Sequence, residues 1–125
     1  MGKNPLNLAF RFLLELCALV IFGLWGWNST TSALRYLLVA TLPLLAAVLW
    51  GTFNVPDDPS RSGKAPVPVS GFLRFTLELA FFALAVLVLC DLGWITPAWI
   101  FSAAVLVHYA LSYDRIAWLL KQKKP

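Results

Sequence analysis

Residues 72–92 read FLRFTLELAFFALAVLVLCDL, with Arg74, Glu78 and Asp91 as the charged positions. A helix of this length reaches across a hydrocarbon core of ~30 Å. A surface helix of a soluble protein would carry a polar stripe, and this stretch is apolar on every face. Residues 8–27, about 33–53 and about 97–113 have the same character. Pro43 inside the second stretch predicts a kink rather than a break, because neighbouring spans can satisfy the carbonyl that proline frees. The helix starts are marked by Asn4-Pro5, Ser32, Ser70 and Thr96-Pro97. A short polar side chain there accepts from a free N–H, and proline at the first helical position loses nothing.

Composition agrees with this reading. Of 125 residues, 60% are hydrophobic and 13% charged, against ~half and ~a quarter in soluble domains. So few charges cannot cover a water-soluble core. The net charge of +4 does not point to nucleic acid, since the basic residues gather at the ends of apolar runs. The expected fold class is an all-α integral membrane protein, a single domain containing a four-transmembrane-helix bundle. The first span should stay in the mature chain, because it contains Arg11 and Glu15 and shows no small-residue cleavage site.

Four spans put the amino end, the central loop and the carboxyl end on one side. Lys3, Arg11, Arg61, Lys64, Arg74, Arg115, Lys121, Lys123 and Lys124 lie on or border that side, and Arg35 alone lies on the other. Positive residues accumulate in the cytoplasm, so both termini are expected there. Cys17 and Cys90 stand in different spans without metal or redox spacing and read as apolar packing residues.

An internal repeat is visible. Arg11-Phe12-Leu13-Leu14-Glu15-Leu16 corresponds to Arg74-Phe75-Thr76-Leu77-Glu78-Leu79, and each copy runs on to Gly-Trp, at Gly26-Trp27 and Gly93-Trp94. Repeat 1 covers about 5–53 and repeat 2 about 71–113, with a loop at 54–70 between them and an amphipathic basic tail at 114–125. Two tandem hairpins entering in the same direction imply a pseudo-twofold along the membrane normal.

Arg and Glu four apart share a helix face. Glu15 and Glu78 fall roughly 10–12 Å inside their spans at ~1.5 Å per residue, where an ionisable group needs a partner or water. Arg early in a helix opposes the dipole, so the duplicated order asks for a tertiary reason. Reciprocal pairing across the pseudo-twofold, Arg11 with Glu78 and Arg74 with Glu15, is one. Snorkelling arginines that hold their own glutamates are the plainer alternative. His108 lies at the same depth and is the one side chain that titrates near neutrality unaided. Arg11, Glu15, Arg74, Glu78 and His108 therefore form the candidate intramembrane polar site.

The loop carries four prolines, which exclude a regular helix. It is a linker by default, but Asn54, Asp57, Asp58 and Arg61 make it a candidate to fold over the cytoplasmic mouth. No nucleophile, zinc or phosphate-loop motif is present, so neither enzyme activity nor a cofactor nor a metal is expected. The tail suits the inner lipid interface.

The stretch from Asn4 to Leu16, then Trp50-Gly51-Thr52-Phe53 leading into the proline-rich loop, then Leu73 to Leu79, resembles the YrdB family of small bacterial membrane proteins. The resemblance implies a four-span protein of the bacterial inner membrane and brings no activity or functional residues. Two readings follow. The first is a small-molecule or ion binding or transport protein with a polar site in its cytoplasmic half. Four short spans enclose little volume, so it would work as a homodimer. The second is a structural or regulatory subunit that binds lipid or another membrane protein.

Overall fold

The computed structural model describes residues 4–58 and 64–122. In chain order they form α1 (Pro5–Asn28), α2 (Leu34–Thr52), β1 (Phe53–Asn54), β2 (Val67–Pro68), α3 (Gly71–Asp91), α4 (Ile95–Leu111) and α5 (Tyr113–Lys121). Helices α1, α2 and α3 are long and apolar enough to cross a membrane, and α4 with α5 makes a fourth if that bent pair is one span.

The caps at two starts are as expected. Asn4 Oδ1 accepts from Leu6 N at 2.9 Å, and Ser70 Oγ accepts from Leu73 N at 3.3 Å. Two other starts differ slightly. Ala33 rather than Ser32 caps α2, although Ser32 Oγ still reaches Leu34 N at 3.3 Å. Helix α4 begins at Ile95, ahead of Thr96-Pro97, after Gly93 turns the chain with φ +81°. Only glycine takes that angle without strain.

Helix α2 runs on past Pro43. The proline leaves the Val39 carbonyl without its helical donor, and α1 closes over that point at Gly23. A Cβ there would stand 3.3 Å from Val39 O, and one at Gly26 would stand 2.7 Å from Leu38 O. Small residues of this kind let two membrane helices approach backbone to backbone.

The core lies where α1, α3 and α4 meet, around Leu14, Ala18, Phe82, Ala85 and Leu89, with Trp50 reaching in from the end of α2. Trp50 and Phe81 lie 4.3 Å apart between ring centres. Away from its contact with α1, the outer face of α2 is bare. Trp50 is its one buried residue, while Leu37, Leu44, Leu45 and Val48 are exposed. In water such a face would be a liability of several hundred Å²; facing acyl chains, it costs nothing.

The loop does not hang free of the bundle. β1 and β2 pair in parallel, Phe53 with Val67 and Asn54 with Pro68. Val55, Val69 and Leu119 then bury together as a second small core. Helix α4 turns through 69° into α5, and α5 lies across the start of α3. Gly71 N donates to Gln122 O at 2.7 Å, and any Cβ at Gly71 would fall on the Leu119 carbonyl.

Candidate functional site

Glu78, on the third turn of α3, is the centre of the charged cluster. Its carboxylate accepts five hydrogen bonds. Tyr109 OH (2.8 Å) and Arg115 Nη1 (2.9 Å) reach Oε1. Arg115 Nη2 (2.7 Å), Arg74 Nε (2.8 Å) and Arg11 Nη2 (3.2 Å) reach Oε2. Glu78 and Arg74 have no exposed surface at all. A carboxylate at this depth is tolerable only when opposite charge and hydrogen bonds replace its water, and this set replaces all of it.

The two Arg–Glu motifs both close within their own helices, Arg11 Nε on Glu15 at 3.1 Å and Arg74 Nε on Glu78 at 2.8 Å. Across the helices the exchange is one-sided. Arg11 reaches Glu78, whereas Arg74 turns to the end of α2, donating Nη1 to Trp50 O (2.6 Å) and Phe53 O (2.8 Å). It is pulled there by the carbonyls at a helix C-terminus, which have no donors of their own. Glu15 is met by the indole of Trp50, whose Nε1 donates to Oε1 at 3.0 Å. The same indole lies 4.4 Å under the Arg74 guanidinium, a cation–π contact.

His108 sits at the margin of this cluster. Its Nδ1 faces Asn7 Oδ1 at 3.1 Å, and Asn7 Nδ2 donates to Ser112 Oγ at 2.8 Å. An amide oxygen only accepts, so Nδ1 carries the proton. The ring touches Tyr109 at 5.1 Å between centres, and Tyr109 in turn holds Glu78.

From the loop, Asp58 enters the cluster. A turn at Val55-Pro56-Asp57-Asp58, with Asp58 N on Val55 O and Asp57 at φ 64°, points it inward. Proline followed by a positive φ is the type II pattern, which aspartate tolerates. Asp58 takes Arg115 as a two-pronged pair, Nε to Oδ1 at 3.1 Å and Nη2 to Oδ2 at 2.6 Å. Asn54 is buried and donates Nδ2 to Gly51 O at 2.6 Å. Asp57 is exposed, and Arg61 lies outside the described residues.

Arg115 is the residue the sequence reading missed. It was assigned with the basic tail to the lipid interface, yet it is 3% exposed and ties α5, α3 and the loop together. Its one signal was the four-residue step to Leu119, both on the face that α5 buries. Asn7, Trp50, Tyr109 and Ser112 were also not assigned to the cluster. Among the described residues, no group of three or more His, Cys, Asp or Glu is placed to hold a metal. Cys17 and Cys90 are both exposed, unpaired thiols.

The geometry thus defines a small, predominantly helical protein with apolar outer faces and a buried ionic cluster at the end where α1 begins and α5 lies across α3. The chain belongs to a family described as protein of unknown function DUF2568, whose model matches residues 9–106. It is 40% identical over 120 residues to the uncharacterized protein YrdB of Bacillus subtilis (strain 168), covering 95% of this chain and 97% of that relative. No solved structure matches.

Proposed function

We propose that this chain is a structural or regulatory subunit of the bacterial cytoplasmic membrane, with four spans and both termini inside, whose buried charges fasten the bundle rather than bind a substrate. The observation that carries this is the state of Glu78: wholly buried, with five donors in place. A ligand site keeps a donor or acceptor open for its ligand. Glu78 has none to spare.

A carrier for a small molecule or ion, working as a homodimer, is the second reading. One observation favours it. Arg74 Nη2 and Asn54 Oδ1 are buried without hydrogen-bond partners among the described residues, and water or a small polar ligand would satisfy such groups. Glu15, with a side chain 17% exposed, is the more accessible acid of the layer.

Native mass spectrometry and thermal unfolding in nanodiscs separate the two. A fastener predicts no polar small molecule on the wild-type protein, a lowered Tm for Glu78→Gln and a smaller loss for His108→Ala, which removes a buried ring and one hydrogen bond but no charge. A polar molecule that copurifies with wild type, and is lost from a Glu78→Gln variant of wild-type Tm, overturns the proposal in favour of the carrier.

A further inference from the structure

We propose that the groove between α2 and α3 seats one acyl chain of a phosphatidylethanolamine, with the lipid's primary ammonium on Asp91. The inference rests on the membrane placement proposed above, but not on the role given to Glu78.

The open-sided groove has a volume of about 490 Å³ and runs from Trp50 at the cytoplasmic end to Trp25 and Asp91 at the far end. That volume falls in the ~300–1,000 Å³ range of ligand pockets. Its walls are apolar side chains such as Leu45, Leu49, Phe81 and Leu84, and Asp91 is the one charged residue among them. Along α3 the wall from Leu77 to Asp91 is about 21 Å long at ~1.5 Å per residue. Half a hydrocarbon core is ~15 Å, so an acyl chain of one leaflet fits lengthwise. Helix α2 barely touches α3 along this length, which leaves the groove open to lipid from the side.

The head of the ligand follows from Asp91. It is the last residue of α3, where the helix carbonyls already concentrate negative charge and a carboxylate is locally disfavoured. Trp25 Nε1 donates to its Oδ2 at 3.1 Å. No cation pairs with it among the described residues, and Oδ1 is left as a free acceptor. A carboxylate beside a partly exposed indole is a receptor for an ammonium group, through a charge-assisted hydrogen bond and the ring face. Arg35, the one basic residue at this end, is held on Trp27, 4.0 Å over its ring. With Arg35 held on Trp27, Asp91 is the charge that the groove presents to a headgroup, and it favours one that carries an ammonium. A quaternary amine offers no N–H to Oδ1, and a net-anionic lipid meets Asp91 with repulsion.

The test is native mass spectrometry of the full chain in nanodiscs containing equal parts of phosphatidylethanolamine, phosphatidylcholine and phosphatidylglycerol with matched chains. The expected result is retained phosphatidylethanolamine in about tenfold excess over the other two, the worth of one charge-assisted hydrogen bond. Asp91→Asn should abolish the excess, and Ala80→Trp, which fills the groove, should lower retention of all three. Phosphatidylglycerol or phosphatidylcholine held as tightly as phosphatidylethanolamine overturns the inference, and so does an excess that survives in Asp91→Asn. Asp91 lies at the opposite end of α3 from the Glu78 cluster, so an unchanged Tm in that variant certifies its fold. Release of the chain by alkaline carbonate would instead show that the membrane placement itself is wrong.

Discussion

Glu78 and Arg115 hold together the polar end of this molecule between them. Removing one partner of a buried pair leaves the other charged and dry, at a cost of about 3–5 kcal/mol. Glu78→Gln and Arg115→Gln should each destabilise by that order. Together they should cost little more than the worse single change, because residues of one network are not additive. A double-mutant cycle by thermal unfolding in nanodiscs checks this, and additive losses would mean that the two do not share an interaction. Sequence reading reached half of this cluster. Arg11, Glu15, Arg74 and Glu78 were legible because spacing of four places each pair on one helix face. Arg115 was not, since a basic residue next to an inner interface normally snorkels to headgroups, and only the 69° turn before α5 sends it inward. The one-sided exchange was also illegible. That Arg74 would go to Trp50 O and Phe53 O depends on where α2 ends in space.

At the scale of elements, α5 is held by the Gly71 contact, by the burial of Leu119 against Val55 and Val69, and by the two ion pairs of Arg115. Gly71 admits the Leu119 carbonyl against the first turn of α3, and Arg115 anchors the other end of the helix. Gly71→Ala should therefore lift α5 from α3 while leaving the four apolar helices intact. Limited proteolysis should then cut within residues 113–122 about tenfold faster than in wild type, since cleavage follows the open population and tenfold corresponds to ~1.4 kcal/mol. Unchanged protection would show that the backbone yields locally and that Arg115 and the buried Leu119 suffice to hold α5. The four apolar helices were readable from length and composition, and so were the caps at Asn4 and Ser70. The loop was readable only as non-helical. Its parallel two-residue pairing joins positions more than ten apart, and no local pattern announces such a contact.

The whole molecule is an apolar bundle with one polar end. Arg11 and Arg74 lie in the first two turns of the first and third helices, Asp58 comes from the loop and Arg115 from beyond α4, and all four meet at one place. That convergence is possible only if α4 returns the chain to the side from which α1 started. Helix α4 has 17 residues, about 25 Å at ~1.5 Å per residue, the shortest of the four long helices. The repeated Arg–Glu motif gives the two halves matching local pairs, but their surroundings differ, with Glu78 sealed and Glu15 partly open. The fate of the fourth helix decides the account. Alkaline phosphatase fusions after residue 30, within the 59–63 segment, after residue 93 and at the carboxyl terminus would measure it in cells. Activity at residues 30 and 93, and none at the loop or the carboxyl end, is the predicted result. An active carboxyl-terminal fusion would place α5 and Arg115 across the membrane from Glu78 and contradict the account outright.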